Sequence, residues 1–158
     1  MKQQDLNKVL KLHALWLQND KDGQKANLRK ANLRRVDLEG VDLRRADLRE
    51  AKLRKANLRA AKLWAADLWR ADLREASMRE ADLRDATLWG ADLRKASLRK
   101  ANLQDADLYG ANLYEADLYG ADLRRANLQR ASLHEGQLEG ANLEGAKLSG
   151  RIWVDGKR

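Results

Sequence analysis

The chain carries few residue types able to do chemistry, and most of them are charged. Two histidines, His13 and His134, stand far apart, and there is no cysteine, so the spacing of a metal site is absent and no metal is expected. No Ser-His-Asp arrangement, P-loop or Gly-rich dinucleotide turn can be found, and no catalytic residue or cofactor is expected either. What remains is 32 Lys and Arg against 24 Asp and Glu, a net charge of +8. Guanidinium groups in such numbers either pair with carboxylates or hold phosphate through bidentate hydrogen bonds. The excess is unevenly placed: residues 26–60 hold 11 basic and 5 acidic residues, whereas 101–130 hold 3 and 5. A positive field weighted toward the N-terminal half bears on partners and not on fold.

Positioning those charges falls to an array from Ala26 to Gly150, a five-residue unit repeated 25 times without insertion or deletion. Each unit reads Ala, a small polar or charged residue, Leu, then two free positions, as in Ala106-Asp107-Leu108-Tyr109-Gly110. A helix cannot use this pattern, because a five-residue step turns by about 140° and scatters the Leu residues around the cylinder. One long strand fails as well, since period two puts Leu28 and Leu33 on opposite faces. A very short extended piece followed by a corner satisfies it, with Ala and Leu pointing inward and the rest outward. Asp and Asn before each Leu then read as local partners of the backbone at corners, not as catalytic acids.

This A-(D/N)-L-x-x motif resembles the pentapeptide repeat family over 125 of the 158 residues. The resemblance implies an all-β solenoid: a right-handed, four-sided parallel β-helix, one unit per side and 20 residues per coil. Just over six coils would make a rod of roughly 30 Å at about 4.8 Å per coil. Val36, Val41 and Gly136 replace Ala and Met78 replaces Leu; Gly136 leaves a small void where a local irregularity is expected. Residues 1–25 read as a capping helix and turn, with Asp5 as N-cap, Leu6, Leu10, His13 and Leu17 forming a stripe over 5–18, and a stop at Asn19-Asp20-Lys21-Asp22-Gly23. Residues 151–158 form a tail in which Ile152 or Trp153 either covers the last coil or makes a subunit contact.

If positions 20 apart stack, the free positions become columns. One holds Arg34, Arg54, Arg74 and Arg94, about 5 Å apart, with Asp72, Asp92, Glu50, Glu75, Glu80 and Asp85 near enough to offset them. It reads as a solvated face laced with salt bridges, or as a contact for phosphate or an acidic protein. Another holds Trp69, Trp89 and Tyr109, an aromatic ladder that stiffens the rod or offers a stacking platform for bases. Tyr109, Tyr114 and Tyr119 fall on three different sides and form no patch.

A lumen filled by Leu and Ala leaves no pocket, so an enzyme is not expected. The leading expectation is a non-enzymatic structural or protein-interaction scaffold with an unknown protein partner, a monomer or an end-to-end homodimer. The alternative is nucleic-acid or acidic-partner binding through the Arg columns. Some family members mimic DNA, inhibit DNA gyrase and confer quinolone resistance, but those rods are acidic, and a charge of +8 argues against that role here. The near-perfect register is also what an idealised scaffold would show. No apolar run approaches a membrane span and no signal peptide is evident, so a cytoplasmic protein without membrane contact is expected.

Overall fold

The computed structural model describes residues 1–133 and 135–150, with the side chains of 135 and 136 excepted, and the main chain of Ile152–Trp153. The chain opens with helix α1, Gln3–Leu17, which starts two residues before the expected 5–18 span. Asp5 is therefore not the N-cap. Lys2 holds that position in an extended conformation without a side-chain bond, and Asp5 lies in the first turn, where its charge suits the positive end of the helix dipole. Leu6 and His13 are buried on the inward stripe, and Val9 and Leu10 pack against the core of the array.

Two contacts fix α1 to the array. The chain reverses tightly, and a Cβ on Gly23 would lie 2.2 Å from the Trp16 nitrogen, so only glycine allows this approach. The His13 Nδ1 then accepts the Ala26 N–H at 3.1 Å, tying the helix to the first unit.

From Ala26 onward the coil has 20 residues. Residues 20 apart form parallel bridges, beginning Asn27 with Asp47 and running to Asn127 with Lys147, and a turn every five residues divides each coil into four sides. A regular side shares three bonds with each neighbouring coil and closes one across its corner. On one side Asp47 N–H donates to Ala26 (2.9 Å), Leu48 N–H to Asp67 (2.8 Å), Glu50 N–H to Trp69 (2.8 Å) and Ala51 N–H to Leu48 (3.0 Å). The corner places the fifth residue of the unit in the left-handed region, φ between 51° and 69°, at 24 of the 25 units. Seventeen of these residues are not glycine. For an L-residue that conformation costs about 1–2 kcal/mol, and the coil-to-coil bond from the same N–H holds it in place.

The interior consists of stacked Leu with Ala between, at 0–3% exposure through the middle coils. Ala31, Val36 and Val41 in the first coil and Ala141, Leu143 and Leu148 in the last are only partly buried, so the core is most open at its two ends.

The one interruption among the described units lies at Gly136. A 3-10 turn, Glu135–Leu138, replaces the side there, and the Gln137 side chain turns inward. Its amide nitrogen donates to the Leu113 carbonyl (2.5 Å) and the Ala116 carbonyl (2.7 Å). Regular coiling flanks the interruption: β1, Ser132–Leu133, pairs in parallel with β2, Ile152–Trp153, at the same spacing of 20. The main chain thus carries the register past Gly150. Whether Ile152 or Trp153 covers the last coil falls outside the described side chains.

Candidate functional site

The free positions of the array owe their chemistry to the residue before each Leu. An Asp or Asn there turns its Oδ1 back to accept the N–H two residues on, as Asp47 does from Arg49 at 3.1 Å. The same pattern recurs from Asn27 to Asn142. That bond aims the carboxylate at the root of the residue following Leu. When this residue is Arg, its guanidinium folds back onto the acid. Arg74 Nε donates to Asp72 Oδ1 at 2.7 Å and its terminal nitrogen to Oδ2 at 2.8 Å. Arg44, Arg49, Arg84, Arg94 and Arg124 repeat this fork with Asp42, Asp47, Asp82, Asp92 and Asp122. The hydrogen bonds from Arg74 hold Asp72 below the ordinary carboxylate range, and the same contact raises Arg74. Asp-Leu-Arg is a self-neutralising unit.

The expected column of Arg34, Arg54, Arg74 and Arg94 therefore divides. Arg74 and Arg94 are paired within their own units. Arg34 follows Asn32, and Arg54 follows Lys52. Asn32 accepts the Arg34 N–H at 3.4 Å but carries no charge. Arg54 reaches the next coil instead, meeting Glu75 at 2.6 Å, an acid it shares with Lys55 at 3.2 Å. Those two cations hold Glu75 below its ordinary range. Arg34, Arg35 and Lys52 form no ion pair among the described residues. Arg34, Arg35, Arg54 and Lys55 line a surface cleft of about 420 Å³ without a carboxylate in its wall. A neighbouring cleft of about 270 Å³ along the same column mixes signs, with Glu75 and Glu115 beside Arg74, Arg94 and Lys95.

Trp69, Trp89 and Tyr109 do come together. Ring centroids lie 5.9 Å apart for the first pair and 6.2 Å for the second, with interplanar angles of 29° and 38°. Guanidinium groups lie over the two end rings of the stack, Arg70 at 4.7 Å over Trp69 and Arg130 at 5.6 Å over Tyr109. Trp69 also lines a surface cleft of about 370 Å³ with Arg29, Arg49, Asp67 and Thr87. Ring faces that meet each other and two arginines are engaged within the protein, which favours the stiffening role over a platform for bases. Tyr119 packs under Arg99 at 4.6 Å, on a different side.

His13 is fully buried, and burial lowers its pKa against the opposing pull of Asp42. His134 lies outside the described residues. No group of three or more potential metal ligands assembles among the described residues, and no described helix is long and apolar enough to cross a membrane. Sequence reasoning missed Gln137; its signal is a long amide where the motif wants Asp or Asn, directly after the one Gly in an Ala position.

A family profile described as pentapeptide repeats matches in eight copies, over residues 24–59, 51–90, 76–113 and 111–150. No curated protein matches the chain. Among solved structures, a pentapeptide repeat protein of the Arabidopsis thaliana thylakoid lumen is 31% identical with a TM-score of 0.64, over 66% of this chain and 73% of that one. A trypsin-treated form of QnrB1, a plasmid-mediated fluoroquinolone resistance protein, is 25% identical with a TM-score of 0.60, over 81% of this chain and 68% of that one.

Proposed function

The chain belongs to the pentapeptide repeat family, and we propose that it is a non-enzymatic scaffold, a rod of about six coils closed at its N-terminal end by α1, which engages a protein partner through its exterior. One observation carries this reading. The interior is filled by Leu and Ala at 0–3% exposure through the middle coils, so the variable chemistry lies outside. The two fold neighbours carry the same repeats, and members of the family are in general structural or interaction proteins. Partly exposed rings offer contacts on three different sides: Trp89, Tyr114 and Tyr119 are 39–44% exposed, Trp89 and Tyr119 through the parts of their rings that the stack and Arg99 leave open.

Chemical cross-linking in the native cell tests it. A protein partner should be recovered, kept when Leu93 is changed to Met inside the rod and lost when Trp89, Tyr114 and Tyr119 are changed to Ser. Turnover of a substrate with no partner recovered would overturn the reading. Light scattering with and without residues 151–158 separates a monomer from an end-to-end dimer. The resistance named for QnrB1 is not carried across: a mimic of phosphate needs free carboxylates on its faces, whereas the array from 26 to 150 carries +4 and six of its Asp side chains are covered by arginine forks. Stoichiometric inhibition of gyrase supercoiling would reverse that judgement.

A further inference from the structure

We propose that the side of the rod bearing Arg34, Arg35, Lys52, Arg54 and Lys55 is a docking surface for the phosphate backbone of a nucleic acid. The inference goes beyond the scaffold reading and needs no protein partner.

It starts from a local break in the charge rule. Six arginines of the array are neutralised by the Asp two residues earlier. On this side, two successive coils replace that Asp with Asn32 and Lys52 and fill the following pair of positions with Arg34-Arg35 and Arg54-Lys55. Across four coils the side, at residues 31–35, 51–55, 71–75 and 91–95, carries eight basic and three acidic residues, +5 of the chain's +8. All three acids are already engaged: Asp72 by Arg74, Asp92 by Arg94, and Glu75 by Arg54 and Lys55. Arg34 and Lys52 feel Asp72 without forming an ion pair with it, Arg34 from a distance and Lys52 as its neighbour on the adjoining coil, so direct partners for Arg34, Arg35 and Lys52 are left to solvent or to a ligand.

The scaffold beneath is stiff. Arg35 and Lys55 sit in left-handed corners at φ 58° and 61°, and their N–H groups donate to Arg54 and Arg74 of the next coil at 3.1 and 2.9 Å. Two columns of cations therefore stand side by side at the coil spacing of about 4.8 Å, with only side-chain freedom to lose on binding. Arginine forks suit phosphate oxygens bidentately.

A second property separates nucleic acid from an acidic protein or a lipid surface. Protein interfaces centre on buried aromatic or apolar anchors, and a basic patch holds an anionic membrane stably only together with an apolar or lipid anchor. Among the exposed large apolar side chains of the described residues, none belongs to the units that hold Arg34, Arg35, Lys52, Arg54 and Lys55. Met1 borders them, its amino group donating to the Asn32 carbonyl at 3.3 Å, and Tyr114 lies further along the same side, beside Arg54, Arg74 and Arg94. Backbone phosphate recognition needs cations alone.

The test is fluorescence anisotropy of the full chain with labelled 20-nucleotide single strands and 20-base-pair duplexes. Engaging about four phosphates should make affinity fall about 50- to 150-fold between 50 and 200 mM salt. Arg34→Gln with Arg35→Gln should weaken binding at least tenfold at fixed salt and flatten the salt slope by about 1.5. Arg74→Gln with Arg94→Gln removes the same formal charge from the paired half of the column and should change affinity less than twofold. Melting curves of both variants confirm that each is folded. Equal losses in the two variants would show a general charge effect and overturn the proposal. So would absence of binding at 50 mM salt, or binding of poly-glutamate or phosphatidylserine vesicles in preference to either oligonucleotide. Loss of the oligonucleotide with partner cross-linking intact would sink this inference and leave the scaffold reading standing.

Discussion

Leu93 and Leu148 are the same letter of the same motif, yet their truncation to Ala should have unequal costs. Leu93 is 0% exposed in the middle of the stack, with Leu73 one coil below and Leu113 one coil above. Removing three carbons forfeits about 2.4 kcal/mol of transfer free energy at about 0.8 kcal/mol per methylene. The coils on either side cannot close the gap, because Leu73 N–H is bonded to Asp92 and Leu93 N–H to Asn112, both at 2.8 Å. The cavity term therefore adds in full, and the expected total is about 3–5 kcal/mol. Leu148 is partly exposed in the last coil, so the same change should cost about 1 kcal/mol. Urea unfolding followed by far-UV circular dichroism measures both from the midpoints. Equal shifts would refute the reasoning, since they would mean either that the central coils relax around a void or that the last coil is as closed as the middle.

Three further outcomes follow from the corners and the cap. Ala65 holds φ 54° without being glycine, so Ala65→Gly should stabilise by about 0.5–1 kcal/mol, whereas Gly110→Ala, at φ 63° with open space around its Cβ, should cost about 1 kcal/mol from conformation alone; thermal melts decide both signs. Gly23→Ala puts a carbon 2.2 Å from the Trp16 nitrogen and should free α1, seen as lost amide protection over residues 3–17 with protection of the central coils unchanged. His13 has a folded pKa lowered by burial, so the unfolded chain protonates first: its contribution is fully present above about pH 6.5 and declines as pH falls toward the folded value. His13→Asn keeps an acceptor near Nδ1 and should flatten stability between pH 5 and 7. A second decline, below about pH 4, should persist in that variant, because Asp72 and Asp82 have folded pKa values held down by their arginines.

The array was legible because one rule is applied 25 times, and a five-residue period by itself excludes both a helix and a long strand. The cap was legible as a helix but not at its first residue. Asp is a favoured N-cap, yet here the main chain of Lys2 turns into the helix with no side-chain help, and nothing in Met1-Lys2-Gln3 announces that. The left-handed corners were legible only where glycine marks them, as at Gly90 and Gly110. Lys, Glu and Arg do not favour that conformation, and it is the coil-to-coil bond, a long-range effect, that holds them there. Gln137 escaped for a similar reason: its amide turns inward only because the 3-10 turn after Ser132–Leu133 leaves the Leu113 and Ala116 carbonyls within its reach.

The Arg column shows a different gap between sequence and site. Read at intervals of 20, Arg34, Arg54, Arg74 and Arg94 are equivalent, and counting them suggests one uniform basic stripe. Their environments are decided by position two of each unit, which a column drawn through position four does not include. Asp72 and Asp92 fold their arginines down; Asn32 and Lys52 do not. The information was present in the chain, two residues away, and acquires its meaning from a hydrogen bond between a carboxylate and the N–H of the residue after Leu, which fixes the acid where a guanidinium can reach it. Net charge is consequently a poor guide to what such a rod displays. An Asp-Leu-Arg unit adds a cation and an anion that largely cancel at the surface, while an Asn-Leu-Arg-Arg unit adds two cations that remain available, so the field of a pentapeptide rod is set by how positions two, four and five combine on each side and not by their totals.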